Sequence, residues 1–404
     1  MKEILVITNS LYPDLNANSN IAYEIAKFLK ESYNCDVTVM GYRDNIFNYA
    51  GNENAVNIIE VKGISSINSI VKKCKQEGKM KLLLHPMAVL FVILRLLERE
   101  GELKKILYKK EIQKSIGKQN YDCIIAFSEP TYVLEALSEV DCNIPYISYK
   151  LDPWSYHYLR NTNKNELKKE MKSDEKASAI VITKAMENWV KTNGKKLNKK
   201  TYAFELPCVT EHAIGTKYEA FDDKKINCVF AGGLYKDIRN PRYMIELFKL
   251  IDSDKIILHI FGNLYHGLTM PENLPQNIIY HGNVDSEKSI SIMQSADVLV
   301  NLGNTISNQM PSKVLTYISL GKPILNIVKI ENCPSTEYLK EYPYAISVFE
   351  NRRIDQGIIN KIEDFCITMK GKGLPYKYIK EKYKECTLDY VGQELYSIIK
   401  KISK

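Results

Sequence analysis

The residues with the clearest chemical potential lie in one run, Ser295–Leu325. An apolar stretch of strand length (296–302) leads into a polar loop (303–311), and a helix is predicted to begin at Ser312 and Lys313. In an open α/β sheet, such a helix start presents unpaired N–H groups and the positive end of the helix dipole. The adjacent hydroxyl and ammonium groups favour the same kind of ligand, so the pattern predicts a site for a phosphate group.

A second motif, Gly232-Gly233, directly follows the apolar stretch that begins at Ile226. Glycine allows the backbone to approach a ligand closely, although a glycine pair taken alone more often forms a tight turn. Lys236 or Arg239 could supply positive charge there, and Arg239 is favoured because its guanidinium can bind a phosphate through two hydrogen bonds.

The elements that must position these motifs form two series. The first series begins with a strand at 3–8, a helix at 20–32 with Asn18 or Ser19 as N-cap, and a strand at 36–40. A βαβ opening of this kind implies a parallel sheet with right-handed crossovers. Further strands of that sheet are predicted at 122–127, 145–149 and 178–183.

The second series starts at Ile226 and adds a helix at 241–250. Its remaining strands are predicted at 256–261, 278–280, 296–302 and 324–328, and the charged tail from Tyr376 is predicted to be helical. Two successive βα series indicate an α/β protein with two Rossmann-like domains.

The composition of the chain argues against several classes of protein function. The chain has 404 residues, 45% of them hydrophobic, and a formal charge of +8 that is spread along its length, which argues against nucleic-acid binding. Its 9 cysteines are scattered singly, a usage that fits a reducing cytoplasm and predicts neither disulfides nor a metal site. The N-terminus enters a strand without the apolar region of a signal peptide, so a cytoplasmic protein is expected.

The stretch Leu82–Leu97 is strongly apolar and flanked by basic residues. It is shorter than the roughly 20 apolar residues that span a bilayer. Two interpretations stay open: a buried helix of the first domain, or a helix that makes a peripheral contact with the inner face of the cell membrane.

The segment Pro311–Leu325, PSKVLTYISLGKPIL, resembles the donor-binding segment of GT-B glycosyltransferases of the family 4, group 1 type. The resemblance implies two Rossmann-like domains that face each other across a cleft, with a C-terminal helix crossing back to the first domain. It assigns residues 1–205 to an acceptor-binding domain, 206–380 to a nucleotide-sugar-binding domain and 381–404 to the returning helix.

The resemblance also implies roles for individual residues. Lys313 and Arg239 would act in catalysis by contacting the donor diphosphate, and Asn283, Val284 and Asp285 would lie near the nucleotide base. The predicted donor-binding residues are Gly232, Gly233, Asn263, Asn283, Val284, Asn308, Met310, Pro311, Ser312 and Thr316.

Two of these positions depart from the pattern of the family. Many retaining members carry two glutamates at the positions of Asn308 and Thr316, and neither residue here is acidic. Amide and hydroxyl groups can bond a sugar or a ribose, but without the strength of a carboxylate. Retention or inversion at the anomeric carbon therefore stays open.

The first domain offers acceptor-site candidates. Asp152 follows a predicted strand and precedes Trp154, whose ring is expected to pack on a sugar; Asp152 could act as the catalytic base of an inverting enzyme or could cap a turn. Other candidates are Asp14, Asn18, Ser19, Glu129 and His157.

The combined prediction is a metal-independent glycosyltransferase of the hexosyltransferase type. It would move a sugar from a UDP- or GDP-linked nucleotide-sugar, used as substrate and not as cofactor, to a saccharide or lipid-linked acceptor of a cell-surface polysaccharide. The alternatives are a non-catalytic GT-B partner or sugar-binding subunit, and a sugar-nucleotide epimerase.

Overall fold

The computed structural model describes residues 1–12, 15–43, 56–61, 100–128, 131–156, 164–252, 254–350 and 353–403. The predicted apolar helix at 82–97 and three acceptor-site candidates, Asp14, Glu129 and His157, lie outside the described residues. The chain divides into two compact units. Unit 1 comprises Met1–Leu206 and Leu388–Lys404, and unit 2 comprises Pro207–Thr387.

Unit 1 contains a seven-stranded parallel sheet with the strand order β3-β2-β1-β4-β5-β6-β7. The inner strands are buried on both faces, which explains why they are continuous apolar runs such as CIIAF in β4. The strands are β1 Glu3–Ser10, β2 Asp36–Tyr42, β3 Asn57–Glu60, β4 Cys123–Phe127, β5 Tyr146–Lys150, β6 Ala179–Thr183 and β7 Thr201–Phe204.

Five helices of unit 1 precede unit 2 in the described part of the chain. They are α1 Ala17–Tyr33, α2 Glu100–Ile116, α3 Tyr132–Ser138, α4 Lys164–Lys176 and α5 Lys184–Thr192. In α1, the apolar residues Ile21, Ile25 and Leu29 are spaced at one helical turn and are buried.

Helix α1 begins earlier than predicted, and the predicted N-cap is wrong. The N-cap is Asn16, whose Oδ1 accepts a hydrogen bond from the backbone N–H of Ser19 at 2.7 Å. The Ser19 hydroxyl is unavailable for capping because it is buried and bonded to Thr8 Oγ1 and to the N–H of Ser10, both at 3.0 Å. Helix α1 is therefore attached to the end of β1.

Unit 2 contains a six-stranded parallel sheet with the strand order β12-β10-β8-β13-β14-β15. The strands are β8 Ile226–Ala231, β10 Ile256–Phe261, β12 Ile278–Gly282, β13 Val298–Leu302, β14 Ile324–Val328 and β15 Ala345–Phe349; β9 Leu234–Tyr235 and β11 Leu264–Tyr265 form a separate two-stranded sheet. The direction of strand addition reverses between β8 and β13. Ligands of doubly wound sheets bind at the carboxyl ends of the strands at such a reversal.

The described helices of unit 2 are α6 Arg242–Lys249, α7 Ser286–Ser295, α8 Ser312–Ser319, α9 Pro334–Lys340, α10 Gln356–Met369 and α11 Tyr376–Lys382. A short 3-10 turn, Lys384–Cys386, precedes α12 Leu388–Ile402, which belongs to unit 1. Helix α12 packs on α1, where Tyr396 stacks on Tyr33 with ring centroids 3.8 Å apart. Within the ranges described above, no helix is long and apolar enough to cross a membrane.

Candidate functional site

Helix α8 is attached to the end of β8 because Tyr317, in the second half of the helix, is hydrogen-bonded to Ala231. The backbone N–H of Ala231 donates to Tyr317 Oη at 3.1 Å, and this hydroxyl donates to the carbonyl of Ala231 at 3.3 Å. Burial raises the pKa of Tyr317 to about 12, so the hydroxyl remains a donor at neutral pH. The helix is therefore held at the reversal point of the sheet.

Arg239 connects the loops that follow β8 and β13. Reciprocal backbone hydrogen bonds between Tyr235 and Arg239, at 3.1 and 3.3 Å, close the turn that carries the guanidinium. Its Nη2 donates to Oδ1 of the buried Asn304 at 2.9 Å, and its Nη1 donates to the carbonyl of Gly233 at 3.5 Å. Both acceptors are neutral, so these bonds orient the guanidinium without neutralising it.

Lys313 lies in the first turn of α8 and is half-buried. Burial lowers the pKa of its ammonium, and the nearby charge of Arg239 lowers it further. Within the described part of the chain, Lys313 has neither an ion pair nor a hydrogen bond through its side chain. Pro311 is the N-cap and provides no side-chain cap, so two neighbouring cations lie near a helix N-terminus whose first N–H groups have no side-chain acceptor.

His212 adds a third group to this cluster. Burial and the charge of Lys313 both lower the pKa of His212. Its Nε2 is buried and has no hydrogen-bond partner among the residues that the structure describes. The segment that carries His212 is attached to α8, because the backbone N–H of Thr210 donates to Ser319 Oγ at 3.3 Å. In the tautomer that carries its proton on Nε2, this nitrogen is a donor without an acceptor among the described residues.

Sequence reasoning missed His212, Asn304 and Tyr317. Asn304 carries a signal that could have identified it, because it is polar and comes two residues after β13. His212 has no local signal, since it reaches the site from a segment about 100 residues away that precedes the first strand of unit 2.

The other predicted donor residues of the α8 region are largely packed. Asn308 and Met310 are each 6% exposed, and Pro311 is buried. Ser312 and Thr316 are half-buried on α8. The polar loop that precedes α8 is therefore largely packed against the rest of unit 2 at these three positions, 308, 310 and 311.

The remaining donor candidates follow neighbouring strands of the same sheet. Gly232 and Gly233 follow β8, and Asn263 follows β10. Asn283, which is exposed, and Val284, which is half-buried, follow β12, an edge strand that β10 separates from β8. Asp285 is the N-cap of α7 and accepts from the N–H of Lys288 at 2.7 Å. Thus the structure groups Gly233, Arg239 and Lys313, and it places the Asn283–Asp285 segment further along this edge.

In unit 1, Asp152 follows β5 and accepts a hydrogen bond from Asn18 Nδ2 at 3.0 Å. The loop that carries Asp152 is anchored, because Glu170 binds both Lys150 Nζ and the backbone N–H of Ser155. The structure therefore joins two of the acceptor-site candidates and holds their loop in place.

The expectation that the Trp154 ring packs on a sugar is wrong. Trp154 is only 1% exposed and belongs to the hydrophobic core of unit 1. Its indole N–H donates to Glu166 Oε2 at 3.0 Å, which satisfies the one polar atom of the side chain.

No protein-family model and no curated protein sequence matches the chain. Solved structures do match over nearly its whole length. HepE (Alr3699) of Anabaena, solved with UDP and glucose, has a TM-score of 0.62 at 11% identity over 99% of this chain and 100% of its own. Sucrose-phosphate synthase of Thermosynechococcus elongatus has a TM-score of 0.59 at 9% identity over 100% and 95%. The lipopolysaccharide outer core galactosyltransferase WaaB has a TM-score of 0.56 at 10% identity over 98% and 99%.

These similarities establish the fold. The chain has the two-domain α/β GT-B fold of glycosyltransferases, with one parallel sheet in each unit, and the predicted fold class is confirmed. The assignment of acceptor binding to the first domain and of nucleotide-sugar binding to the second stays a prediction.

Proposed function

We propose that this chain is a glycosyltransferase that binds the diphosphate of a nucleotide-sugar at Arg239 and Lys313. The observation that carries the proposal is the convergence of these two cations beside the uncapped start of α8, with no carboxylate paired to Lys313 in the described residues. A diphosphate would offset both the burial and the charge of Arg239, which lower the pKa of Lys313. The presence of UDP or UDP-glucose in HepE structures, which share this fold, supports a nucleotide-sugar as the ligand.

In the proposed reaction, the sugar leaves a nucleoside diphosphate, and negative charge develops on the departing oxygen. Arg239, Lys313 and the first N–H groups of α8 would stabilise that charge, which supports transfer without a divalent metal. Asp152 would accept the proton of the acceptor hydroxyl if the enzyme inverts the anomeric carbon. Retention stays open, since Asn308 and Thr316 carry no carboxylate.

The proposed reaction is transfer of a hexose from a UDP- or GDP-linked donor to a saccharide or lipid-linked acceptor of a cell-surface polysaccharide. The likeness to WaaB, a lipopolysaccharide outer core galactosyltransferase, supports this class of acceptor. We propose a cytoplasmic protein, with a peripheral membrane contact through residues 82–97 as a further prediction.

The proposal is tested by isothermal titration of wild-type protein with UDP-, GDP-, CMP- and dTDP-linked sugars. Arg239→Ala and Lys313→Ala should each weaken the best-bound donor by about tenfold or more, because a charge-assisted hydrogen bond contributes about 1.5–3 kcal/mol. Lys236→Ala and Lys372→Ala remove exposed lysines of the same unit and should leave the affinity unchanged. Equal losses in all four variants, or no donor binding by the wild type, would contradict the proposal.

The absence of carboxylates at Asn308 and Thr316 favours one second candidate, a non-catalytic nucleotide-sugar-binding subunit. Such a subunit would bind the donor and never consume it. NMR of the donor during incubation with the protein separates the cases: glycosyl transfer or hydrolysis releases the nucleotide, an epimerase changes the sugar without an acceptor, and a binding subunit leaves the donor intact.

A further inference from the structure

Two loops of unit 2 carry nearly the same four residues after neighbouring strands. Gly-Gly-Leu-Tyr (232–235) follows β8, and Gly-Asn-Leu-Tyr (262–265) follows β10. The two Leu-Tyr pairs align in register as the parallel strands β9 and β11. Side chains alternate along a strand, so the leucines point to the core and the tyrosines point to the other face. The Tyr235 and Tyr265 rings stack there, with centroids 4.7 Å apart and planes 12° from parallel. We call this pair the tyrosine platform.

Glycines bring the platform close to the backbone. Gly262 has φ +139°, and a Cβ at that position would overlap the carbonyl group of Gly232. A Cβ on Gly233 would come within 3.0 Å of the Tyr265 ring and 3.1 Å of the Tyr235 ring. The two rings therefore lie directly against Gly233.

The platform is exposed, although it is large and aromatic. Tyr265 is 39% exposed and Tyr235 is half-buried, while Leu234, on the opposite face of β9, is fully buried. The neighbouring polar groups are directed at the rings: Asn263 Nδ2 donates to Tyr265 Oη at 3.4 Å, and His266 meets the Tyr235 ring edge to face at 5.5 Å. The exposed ring is thus a flat π surface, and the amide of Asn263 beside it already donates to the Tyr265 hydroxyl.

Such a surface suits a planar aromatic ring better than a sugar. A base can extend the stack without hydrogen bonds, and base–aromatic stacking contributes to binding whatever the base. A pyranose ring carries hydroxyls that need polar partners. The platform is also fixed relative to the cations, because Tyr235 and Arg239 share two backbone hydrogen bonds and Arg239 binds the Gly233 carbonyl beneath the rings.

We infer that the tyrosine platform stacks against the base of a nucleoside diphosphate whose phosphates lie at Arg239 and Lys313. This inference rests on the proposed function, and it adds to that function a subsite for the base formed by Tyr235 and Tyr265. Because stacking is indifferent to the pattern of hydrogen-bonding groups on a base, the platform supplies affinity, and the choice among bases is left to other residues.

The test compares Tyr265→Ala with the matched control Tyr265→Phe, which keeps the ring and removes only the hydroxyl. Titrations with inorganic pyrophosphate, UDP, GDP, ADP and CDP give the affinities, and thermal unfolding verifies that both variants are folded. Tyr265→Ala should weaken the best-bound nucleoside diphosphate by about tenfold or more and leave pyrophosphate affinity unchanged. Tyr265→Phe should bind both like the wild type. In NMR, the base protons should shift upfield on binding to wild type and not on binding to Tyr265→Ala.

The other outcomes are distinguishable. Wild-type nucleotide affinity in Tyr265→Ala overturns the inference while the proposed function stands. The inference is also overturned if Tyr265→Ala binds the nucleoside diphosphate normally but binds the matching nucleotide-sugar more weakly. In that case the ring would contact the sugar and not the base. If wild-type protein binds neither pyrophosphate nor any nucleoside diphosphate, the proposed function fails and the inference fails with it.

Discussion

Lys313 is half-buried, and its surroundings differ from those of two lysines whose charges are paired. The side chains of Lys150 and Lys329 are 4% and 7% exposed, and each is paired with a carboxylate, Lys150 with Glu170 and Lys329 with Glu350. Burying an unpaired charge costs free energy, and burial and Arg239 lower the pKa of Lys313. Such a lysine beside an arginine indicates a functional site more strongly than a structural one.

A second prediction about a single residue concerns the carboxylate of Asp152. Asp152→Asn should lower donor turnover by about a hundredfold or more if this carboxylate acts as the base, while the donor affinity stays unchanged. The substituted amide is nearly the same size and its oxygen can still accept from Asn18, so the fold should be preserved. Asp141→Asn, at an exposed position of the same unit, is the control. Steady-state rates of nucleotide release measure the effect, and wild-type turnover would reduce Asp152 to a structural role.

At the scale of elements, a chain of buried polar groups connects three adjacent strands of unit 2. Asn227 on β8 accepts from His259 Nε2 on β10 at 3.1 Å, and His259 Nδ1 meets His281 Nε2 on β12 at 3.0 Å. The amide of Asn227 donates to the Asp222 carbonyl at 3.0 Å, so its oxygen faces His259. Consequently His259 carries its proton on Nε2, and His281 donates from Nε2 to His259 Nδ1.

This network predicts acid sensitivity of unit 2. Burial and His281 lower the pKa of His259 to about 4, and burial lowers the pKa of His281. The unfolded chain, with a histidine pKa of 6.5, binds more protons than the folded chain between pH 6.5 and about 4. Stability should therefore fall as the pH falls through that window, by up to about 3 kcal/mol for His259 alone, at about 1.4 kcal/mol for each pH unit.

Hydrogen exchange of the β8, β10 and β12 amides, followed from pH 7 to pH 4, measures this loss. His259→Gln removes the titrating group and keeps an amide that can donate to Asn227, so its stability should depend less on pH. The same dependence in variant and wild type would show that other groups are responsible.

At the scale of the whole molecule, the chain leaves unit 1 once and returns to it. Unit 2 is inserted between Leu206 and Leu388, and its two ends are adjacent because the N–H of Val209 donates to the Cys386 carbonyl at 2.9 Å. Helix α12 then completes unit 1 with buried apolar side chains, including Leu395 and Ile399. The stability of unit 1 therefore depends on residues that follow unit 2 in the sequence.

Leu395→Ala tests this dependence. Leu395 is fully buried, so the variant should lower the free energy of unfolding of unit 1 by about 3 kcal/mol. Trp154 and Trp189, the 2 tryptophans of the chain, both lie in unit 1, so denaturant unfolding followed by tryptophan fluorescence reports on that unit. Gln393→Ala, at an exposed position of α12, is the control. Pyrophosphate affinity, a property of unit 2, should be unchanged, and unaltered fluorescence unfolding would refute the role of α12.

The sequence by itself determined what depends on local signals. The strand Ile324–Val328 and the start of α8 at Ser312 have the predicted bounds, because an apolar run, a proline and a Gly-Lys-Pro turn mark them within a few residues. The two-domain α/β fold also followed from the repeated βα pattern, which needs no knowledge of distant contacts.

The tertiary structure alone decided which of these residues meet. It placed Arg239, and not the exposed Lys236, against Asn304; it brought His212 to Lys313; and it buried Trp154 in the core. It also aligned two tyrosines, 30 positions apart, into one surface. The physical reason is that such contacts join residues distant in the chain, and sheet order and packing fix them only after each helix and strand has found its neighbours.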